Sequence, residues 1–301
     1  MRNGRRDNFG EGARADYFRT DLACESAADA RQVAEERVEV GATPVTVTRR
    51  RGEGGAASVT LECGRITVRS AEELDALGAL VARELEGMAE AMTGREVGAS
   101  MRVLAVGLGN GAMTPDAVGP NTLRRVTATR HLRGYDETLF AALGCCELAA
   151  LTPGVMGQTG LETGELVRAA VELVRPHLVV AVDALAARSC DRLASTIQLS
   201  DGGISPGAGI GNHRMALTEA TMGCPVMGVG VPTVVDSSTL VLDALEQAGL
   251  VTAEAPLPEP LVDVLERGRS FIVTPRDCDE MVSMTCQLLA RGLNEAFGVA
   301  D

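Results

Sequence analysis

Two aspartates in this chain occupy positions where a carboxylate does chemistry. Asp116 lies in GLGNGAMTPDAVGP, just beyond an apolar run that ends at Gly107, and Asp183 closes HLVVAVD and opens DALAARS. Two carboxyl groups held close together cannot both ionise cheaply, so one retains its proton while the other ionises. Such a pair can draw a proton from water and return one to a carbonyl oxygen or a leaving nitrogen. That is a route to peptide hydrolysis without serine, cysteine or metal. Alone, each aspartate also suits a helix cap, a strand end or a turn, and only their shared placement argues for more.

Around them lie segments dense in glycine. Gly109 and Asn110 precede Asp116, Gly154 and Gly157 sit in TPGVMGQTGLETGE (Thr152–Glu165), and Gly207 and Gly209 sit in SDGGISPGAGIGNHR (Ser200–Arg214). Glycine lets backbone approach a ligand closely, which suits a cleft for an extended peptide or N–H donors for an oxyanion. Ordinary tight turns explain the same composition equally well. Arg188 in DALAARS joins these as a cleft residue.

Other chemistries find less support. Gly107, Gly109 and Ala112 fit a loose dinucleotide fingerprint, but Pro115 and the TPDAVGP turn block the helix that must receive the pyrophosphate. His131, His177 and His213 have no evident nucleophile beside them, and G-x-S-x-G is absent. The eight cysteines form no C-x-x-C pair, so no metal or redox site is expected, and Cys190 reads as packing. No cofactor is expected. A metal-assisted hydrolase using the same aspartates as ligands to a hard cation stays open as an alternative, as does a silent binding module.

Elements that could position the aspartates follow from periodicity. The apolar runs Met101–Gly107, Glu147–Leu151, His177–Asp183, Ser195–Ser200 and Pro225–Val231 alternate with helical stretches near Asn121–Thr129, Thr163–Val174, His213–Thr221 and Ser237–Gln247. Continuously apolar strands are buried on both faces, which predicts an α/β fold whose mostly parallel sheet is sandwiched by helices. In such sheets side chains gather beyond the carboxyl ends of the strands, which would bring Asp116 and Asp183 to one rim. Upstream, Pro44–Arg50, Ala56–Cys63 and Arg65–Ser70 alternate with period two and predict a small N-terminal antiparallel sheet, a subdomain at about 40–70. A short helix is expected at Ala27–Glu36. A longer one follows Ser70, which with Glu73 can form a capping box. A proline-marked connector and a last helix, Asp277–Phe297, complete the chain.

Composition sets the outer bounds. Of 301 residues 46% are apolar, so a sizeable core is available, and only 2% are aromatic, so it is built from aliphatic side chains. A net charge of −13 argues against direct nucleic-acid binding. The reduced cysteines, the lack of an apolar leader and the shortness of the apolar runs predict a soluble cytoplasmic protein without a membrane span.

The chain resembles the germination (spore) protease family. The resemblance rests on FRTDLACE (Phe18–Glu25), VGLGN with TPDAVGP (Val106–Pro120), TPGVMGQTGLET (Thr152–Thr163), VDALAARS (Val182–Ser189), STIQLSDGGISPGAGIGN (Ser195–Asn212) and GVPTVVD (Gly230–Asp236). It runs from about residue 17 to 297. It implies a three-layer, hydrogenase-maturation-protease-like fold and an aspartic-type endopeptidase with Asp116 and Asp183 as its catalytic pair. It also implies a zymogen that processes itself between Asp21 and Leu22, with residues 1–21 as propeptide arm and 22–301 as one catalytic domain. The implied substrates are the small acid-soluble proteins of the spore core, and the implied assembly is a tetramer. The segment between Leu250 and Gly268 is shorter than is usual in the family.

Overall fold

A computed structural model describes residues 20–25, 30–52, 55–206, 214–252, 257–268 and 271–299. Among the described residues the first elements are three strands, β1 (Ala30–Val38), β2 (Val45–Gly52) and β3 (Ala57–Glu62), and a long helix α1 (Ala71–Thr93). Then come β4 (Arg102–Gly107), α2 (Val118–Leu123), α3 (Arg130–Tyr135), α4 (Glu137–Leu143) and β5 (Glu147–Leu151). After α5 (Met156–Thr159) and α6 (Thr163–Val174) follow β6 (Leu178–Ala187), β7 (Thr196–Ser200), α7 (Glu219–Met222) and β8 (Val226–Asp236). The described chain closes with α8 (Ser237–Gln247), α9 (Glu259–Gly268), β9 (Ile272–Val273) and α10 (Cys278–Phe297).

All the strands form one sheet in the order β1-β2-β3-β7-β8-β6-β4-β5, with β9 on the far end of β8. Alternate residues of its central strands feed two separate apolar layers. Val103, Ala105, Val180, Val182, Met227 and Val229 pack with α1 and α10 residues such as Leu77, Val81, Leu85, Met281 and Leu289. Leu104, Val106, Val179, Ala181 and Val226 pack with Val167, Val171 and Val174 of α6. The period of two thus assigns α1 and α10 to one face and α6 to the other.

The sheet differs from expectation in two ways. Only β5-β4, β4-β6 and β6-β8 pair in parallel, while β8-β7, β7-β3, β3-β2, β2-β1 and β8-β9 are antiparallel. The sheet is therefore mixed rather than mostly parallel. Only Arg188–Ser195 separates β6 from β7, too short a link for the dozen or more residues a parallel crossover needs. Nor do the N-terminal strands stand apart, because β3 pairs with β7 from Ser58↔Ser200 to Glu62↔Thr196.

Local readings shift as well. The helix expected at Ala27–Glu36 is strand β1 from Ala30 onward (26–29 lie outside the described residues). Its Ala, Arg and Glu content suits a helix, but β1 is an exposed edge whose conformation comes from pairing with β2. Arg65–Ser70 is not a strand but holds a 3-10 turn at Ile66–Val68 that buries Ile66. The helix near Asn121–Thr129 starts earlier and ends at Leu123, and that near His213–Thr221 shrinks to α7. The proline-marked connector contains α9. The Ser70 capping box forms as read, with Ser70 Oγ accepting from Glu73 N–H and Glu73 Oε2 accepting from Ser70 N–H at 2.9 Å, and Gly94 ends α1 at φ 63°. Among the described residues no helix is long and apolar enough to cross a membrane.

Candidate active site

Strand β4 is flanked by β5 on one side and β6 on the other, so the connections leaving β4 and β6 diverge and open a crevice between their ends. Asp116, in the turn after β4, and Asp183, on β6, flank this crevice closely enough for the charge of Asp116 to act on Asp183, although Asp116 is not among the residues lining the cavity beside Asp183. From β4 the chain passes Gly109 and makes a 3-10 turn, Thr114–Asp116, before entering α2. The turn is set down by close backbone approach. A Cβ on Gly119 would lie 2.3 Å from Leu108 O and 2.4 Å from Val182 O, so only glycine lets α2 rest on the β4–β6 junction. Gly109 has φ 105°, and a side chain there would strike the Asp116 carbonyl. From β8, Thr233 Oγ1 donates to Pro115 O at 2.7 Å and pins the turn from below.

Asp183 does not end its strand. β6 continues to Ala187 and β8 to Asp236, whereas the sequence reading ends them at Asp183 and at Val231, since an aspartate and Pro232 look like breaks. Asp183 is therefore held inside the sheet, only 4% exposed, with its Oδ1 accepting from Ala184 N–H at 2.9 Å. Burial pushes its carboxyl well above the ordinary carboxylate range, and the charges of Asp116 and Asp21 push it further. Asp116 is half-buried; burial raises it too, opposed by the Asn110 N–H, which donates to Asp116 Oδ2 at 2.8 Å, and by the charge of Arg214.

The register of three strands shapes the space beside Asp183. Asp183 pairs with Gly230 of β8, and Gly230 pairs with Gln198 of β7, so all three point to the α6 face. The Leu185 side chain takes the place that one at Gly230 would fill, its Cδ1 2.4 Å from where a Cβ would stand. Beside it lies a cavity of about 340 Å³, lined by Asp183, Leu185, Gln198, Gly228 and Gly230.

The chain's own residues Thr20–Ala23 line the same cavity. Leu22 is 1% exposed and packs with Leu185, Ala187, Leu193 and Val235. Asp21 N–H donates to Ala186 O and Asp21 Oδ2 accepts from Ala186 N–H, both at 2.9 Å. Gln198 Nε2 donates to Asp21 O at 3.1 Å, and Gln198 Oε1 accepts from Ala23 N–H at 2.5 Å. Further along, Glu25 accepts from the N–H groups of Arg188 and Ser189 at 2.7 and 3.1 Å. Leu22 N–H donates to Thr20 Oγ1 at 3.0 Å and Glu25 N–H to Leu22 O at 3.1 Å, so the Asp21–Leu22 bond lines the cavity where the chain enters a tight turn.

The remaining candidates divide. Asn110 belongs to the crevice, and its Oδ1 also accepts from Gln158 Nε2 at 2.8 Å, tying in the loop after β5. Gly154 and Gly157 lie in that loop, away from the lining of the Asp183 cavity. Arg188 turns its guanidinium to α8, bonding Glu246 Oε2 at 2.5 Å, and offers its backbone N–H to the segment instead. Gly207 and Gly209 lie outside the described residues, as do residues 1–19 and His213. The loop holding these glycines leaves β7, which runs opposite to β8, so it does not leave from the rim that ends β4 as expected. Its start nevertheless folds back, and Ser200, Gly203, Ile204 and Ser205 line the cavity.

Competing nucleophiles are elsewhere. His177 Nδ1 accepts from Arg102 N–H at 3.1 Å at the amino-terminal ends of β4 and β6, the opposite end of those strands from the crevice. Cys190 is exposed, not packed as read, and its thiol is pushed up, first by burial and then by Asp243 and Asp191. Among the described residues no cluster of three His, Cys, Asp or Glu side chains offers a metal site. Sequence reasoning missed Gln198 and Arg214. Gln198 stands in STIQLS among apolar neighbours, and a lone polar residue within a buried run was the available signal.

A sequence model of the family described as germination protease matches residues 23–248. Similar proteins with that description include one from Clostridium acetobutylicum, 36% identical over 257 residues, covering 79% of this chain and 77% of the relative. Another, from Caldanaerobacter subterraneus subsp. tengcongensis, is 32% identical over 313 residues and covers 93% of this chain and 94% of its own. A third, from Bacillus subtilis, is 32% identical over 287 residues, with 79% and 77% covered.

Proposed function

The chain belongs to the germination protease family, and from that premise we propose that it is a self-processing aspartic endopeptidase, made as a zymogen, that degrades small acid-soluble spore proteins on germination. The observation that carries this reading is the docking of the Asp21–Leu22 bond in the cavity lined by Asp183, with Leu22 buried.

In this reading Asp116 takes a proton from a water molecule, whose oxygen attacks the carbonyl carbon of Asp21. Burial and the charge of Asp116 push the Asp183 carboxyl well above the ordinary range and favour its protonated form, which delivers its proton to the carbonyl oxygen. Collapse of the tetrahedral carbon breaks the C–N bond, the Leu22 nitrogen leaves as an amine with the proton from Asp116, and Asp183 recovers its own. The charge of Asp21 also raises Asp183, so an acidic residue before the cut helps hold the acid in its working form. Arg214 lowers both carboxyls and moderates the repulsion between them.

Residues 1–21 are the propeptide and 22–301 the catalytic domain. The helices on both faces of the sheet support a three-layer arrangement of the hydrogenase-maturation-protease kind. A tetramer in the spore core completes the proposal, on the strength of family membership.

Incubation of the purified protein with mapping of the new N-terminus by mass spectrometry tests it. Expected is a product beginning at Leu22, formed equally with and without chelator, and missing from Asp116→Asn and Asp183→Asn. Unimpaired processing in either variant overturns the aspartate mechanism. Loss of processing with chelator and its return with added divalent metal points to the metal-assisted reading.

A further inference from the structure

We propose that Gln198 is the oxyanion donor of this protease, polarising the carbonyl of the bond to be cut while gauging its position along the cleft. The inference rests on the aspartic-protease reading above and assigns a third group to the same site. Its basis is the pair of hydrogen bonds from one amide. Nε2 donates to the Asp21 carbonyl oxygen at 3.1 Å and Oε1 accepts from the Ala23 N–H at 2.5 Å, so the side chain spans the Asp21–Leu22 bond. The partners fix the orientation of the amide, since a carbonyl can only accept and a peptide N–H can only donate.

Geometry and burial favour a working donor over a passive anchor. Gln198 is 8% exposed and sits on β7, paired with Thr60 of β3 on one side and Gly230 of β8 on the other. Its backbone is therefore fixed from both sides, which holds the amide in place without reorganisation. In the register β7-β8-β6 it stands on the same face of the sheet as Asp183, with Leu185 filling the place of a Gly230 side chain, and donor and acid both line the cavity that holds Thr20–Ala23. When water attacks, the carbonyl oxygen gains negative charge and the Nε2–H bond to it strengthens in a poorly solvated cavity, which is the condition for selective transition-state stabilisation. A neutral amide does this without altering the protonation of the two aspartates. The second bond, to Ala23 N–H, sets the register by holding the first peptide N–H beyond the leaving nitrogen.

The test uses the processed protein on a synthetic peptide spanning residues 16–28, alongside self-processing of the full chain. Loss of one oxyanion donor costs about 100- to 1,000-fold in kcat in hydrolases, and Gln198→Ala is expected to show that loss with a much smaller change in KM. Gln198→Glu is close to isosteric and keeps the acceptor for Ala23 N–H. It is expected to be equally impaired at neutral pH, where its carboxylate opposes the carbonyl, and to recover as acid protonates it and restores an O–H donor. A merely structural Gln198 produces no such acid rescue. Melting temperatures of both variants report folding, and Gln198→Glu carries the test if Gln198→Ala does not fold. Gln198→Ala with kcat within about threefold of the unaltered protein, or a rise in KM alone, overturns the proposal. Asp183→Asn is assayed in parallel: if it is inactive while Gln198→Ala is active, only the role of Gln198 fails. If Asp183→Asn cleaves normally, or the unaltered protein cleaves nothing, the aspartic-protease reading fails and the inference falls with it.

Discussion

Replacing Leu22 with alanine removes three carbons from a side chain that is 1% exposed among Leu185, Ala187, Leu193 and Val235. At about 0.8 kcal/mol per buried methylene the transfer loss alone is about 2.4 kcal/mol. The cavity left in a pocket built from strand residues, which cannot collapse, brings the figure to roughly 2.5–4 kcal/mol. With 1.4 kcal/mol per factor of ten, docking of the segment weakens by roughly 50- to 1,000-fold. Hydrogen exchange of the Ala186 amide reads this directly, because that N–H donates to Asp21 Oδ2 only while the segment is seated. The measurement belongs in an Asp183→Asn background, where the junction is expected to stay uncut; self-cleavage rates are taken with Asp183 intact. Expected are faster exchange at Ala186 by the factor above and a slower first-order appearance of the product beginning at Leu22. If Ala186 exchange and the processing rate both stay within threefold of the unaltered protein, Leu22 is not seated in that pocket and the docked-junction argument is wrong.

Two further outcomes follow from the carboxyl pair and its support. Asp183 holds a proton in the folded chain that an unfolded chain, titrating near about 3.9, releases, so folding is favoured at low pH and loses stability as pH climbs towards the raised native value. Asp183→Asn removes that loss; its advantage in melting temperature is expected to widen from pH 4 to pH 8, and an advantage that stays flat with pH contradicts the assignment. Gly119→Ala forces a Cβ to within 2.3 Å of Leu108 O and 2.4 Å of Val182 O, so α2 and the Asp116 turn must lift. It is expected to cost roughly 1–3 kcal/mol in denaturant unfolding and to slow processing beyond what that loss explains; a variant of unchanged stability and rate refutes the close-packing account.

The helices were the most legible part of the fold. α1, α6, α8 and α10 carry their apolar residues at helical spacing and have recognisable ends, and α6 and α8 match the reading residue for residue. The central strands were legible as apolar runs, but their ends were not. β6 and β8 run on past Asp183 and Val231 because neighbouring strands satisfy their backbone there. β1 was misread because an exposed edge strand carries little apolar pattern of its own.

Within the site, the sequence determined which carboxylates to examine, since aspartates at the ends of apolar runs in glycine-rich surroundings have few ordinary roles that suit both at once. It also marked the Asp21–Leu22 junction through its likeness to a family. Tertiary structure alone decided that Asp183 lies inside the sheet, that Gln198 shares its face, and that the junction lines the same cavity as both. Those relations depend on strand direction and register, which are set by pairings between segments far apart in the chain. Burial, and with it the proton on Asp183, is a property of that assembled sheet and of no single stretch of residues.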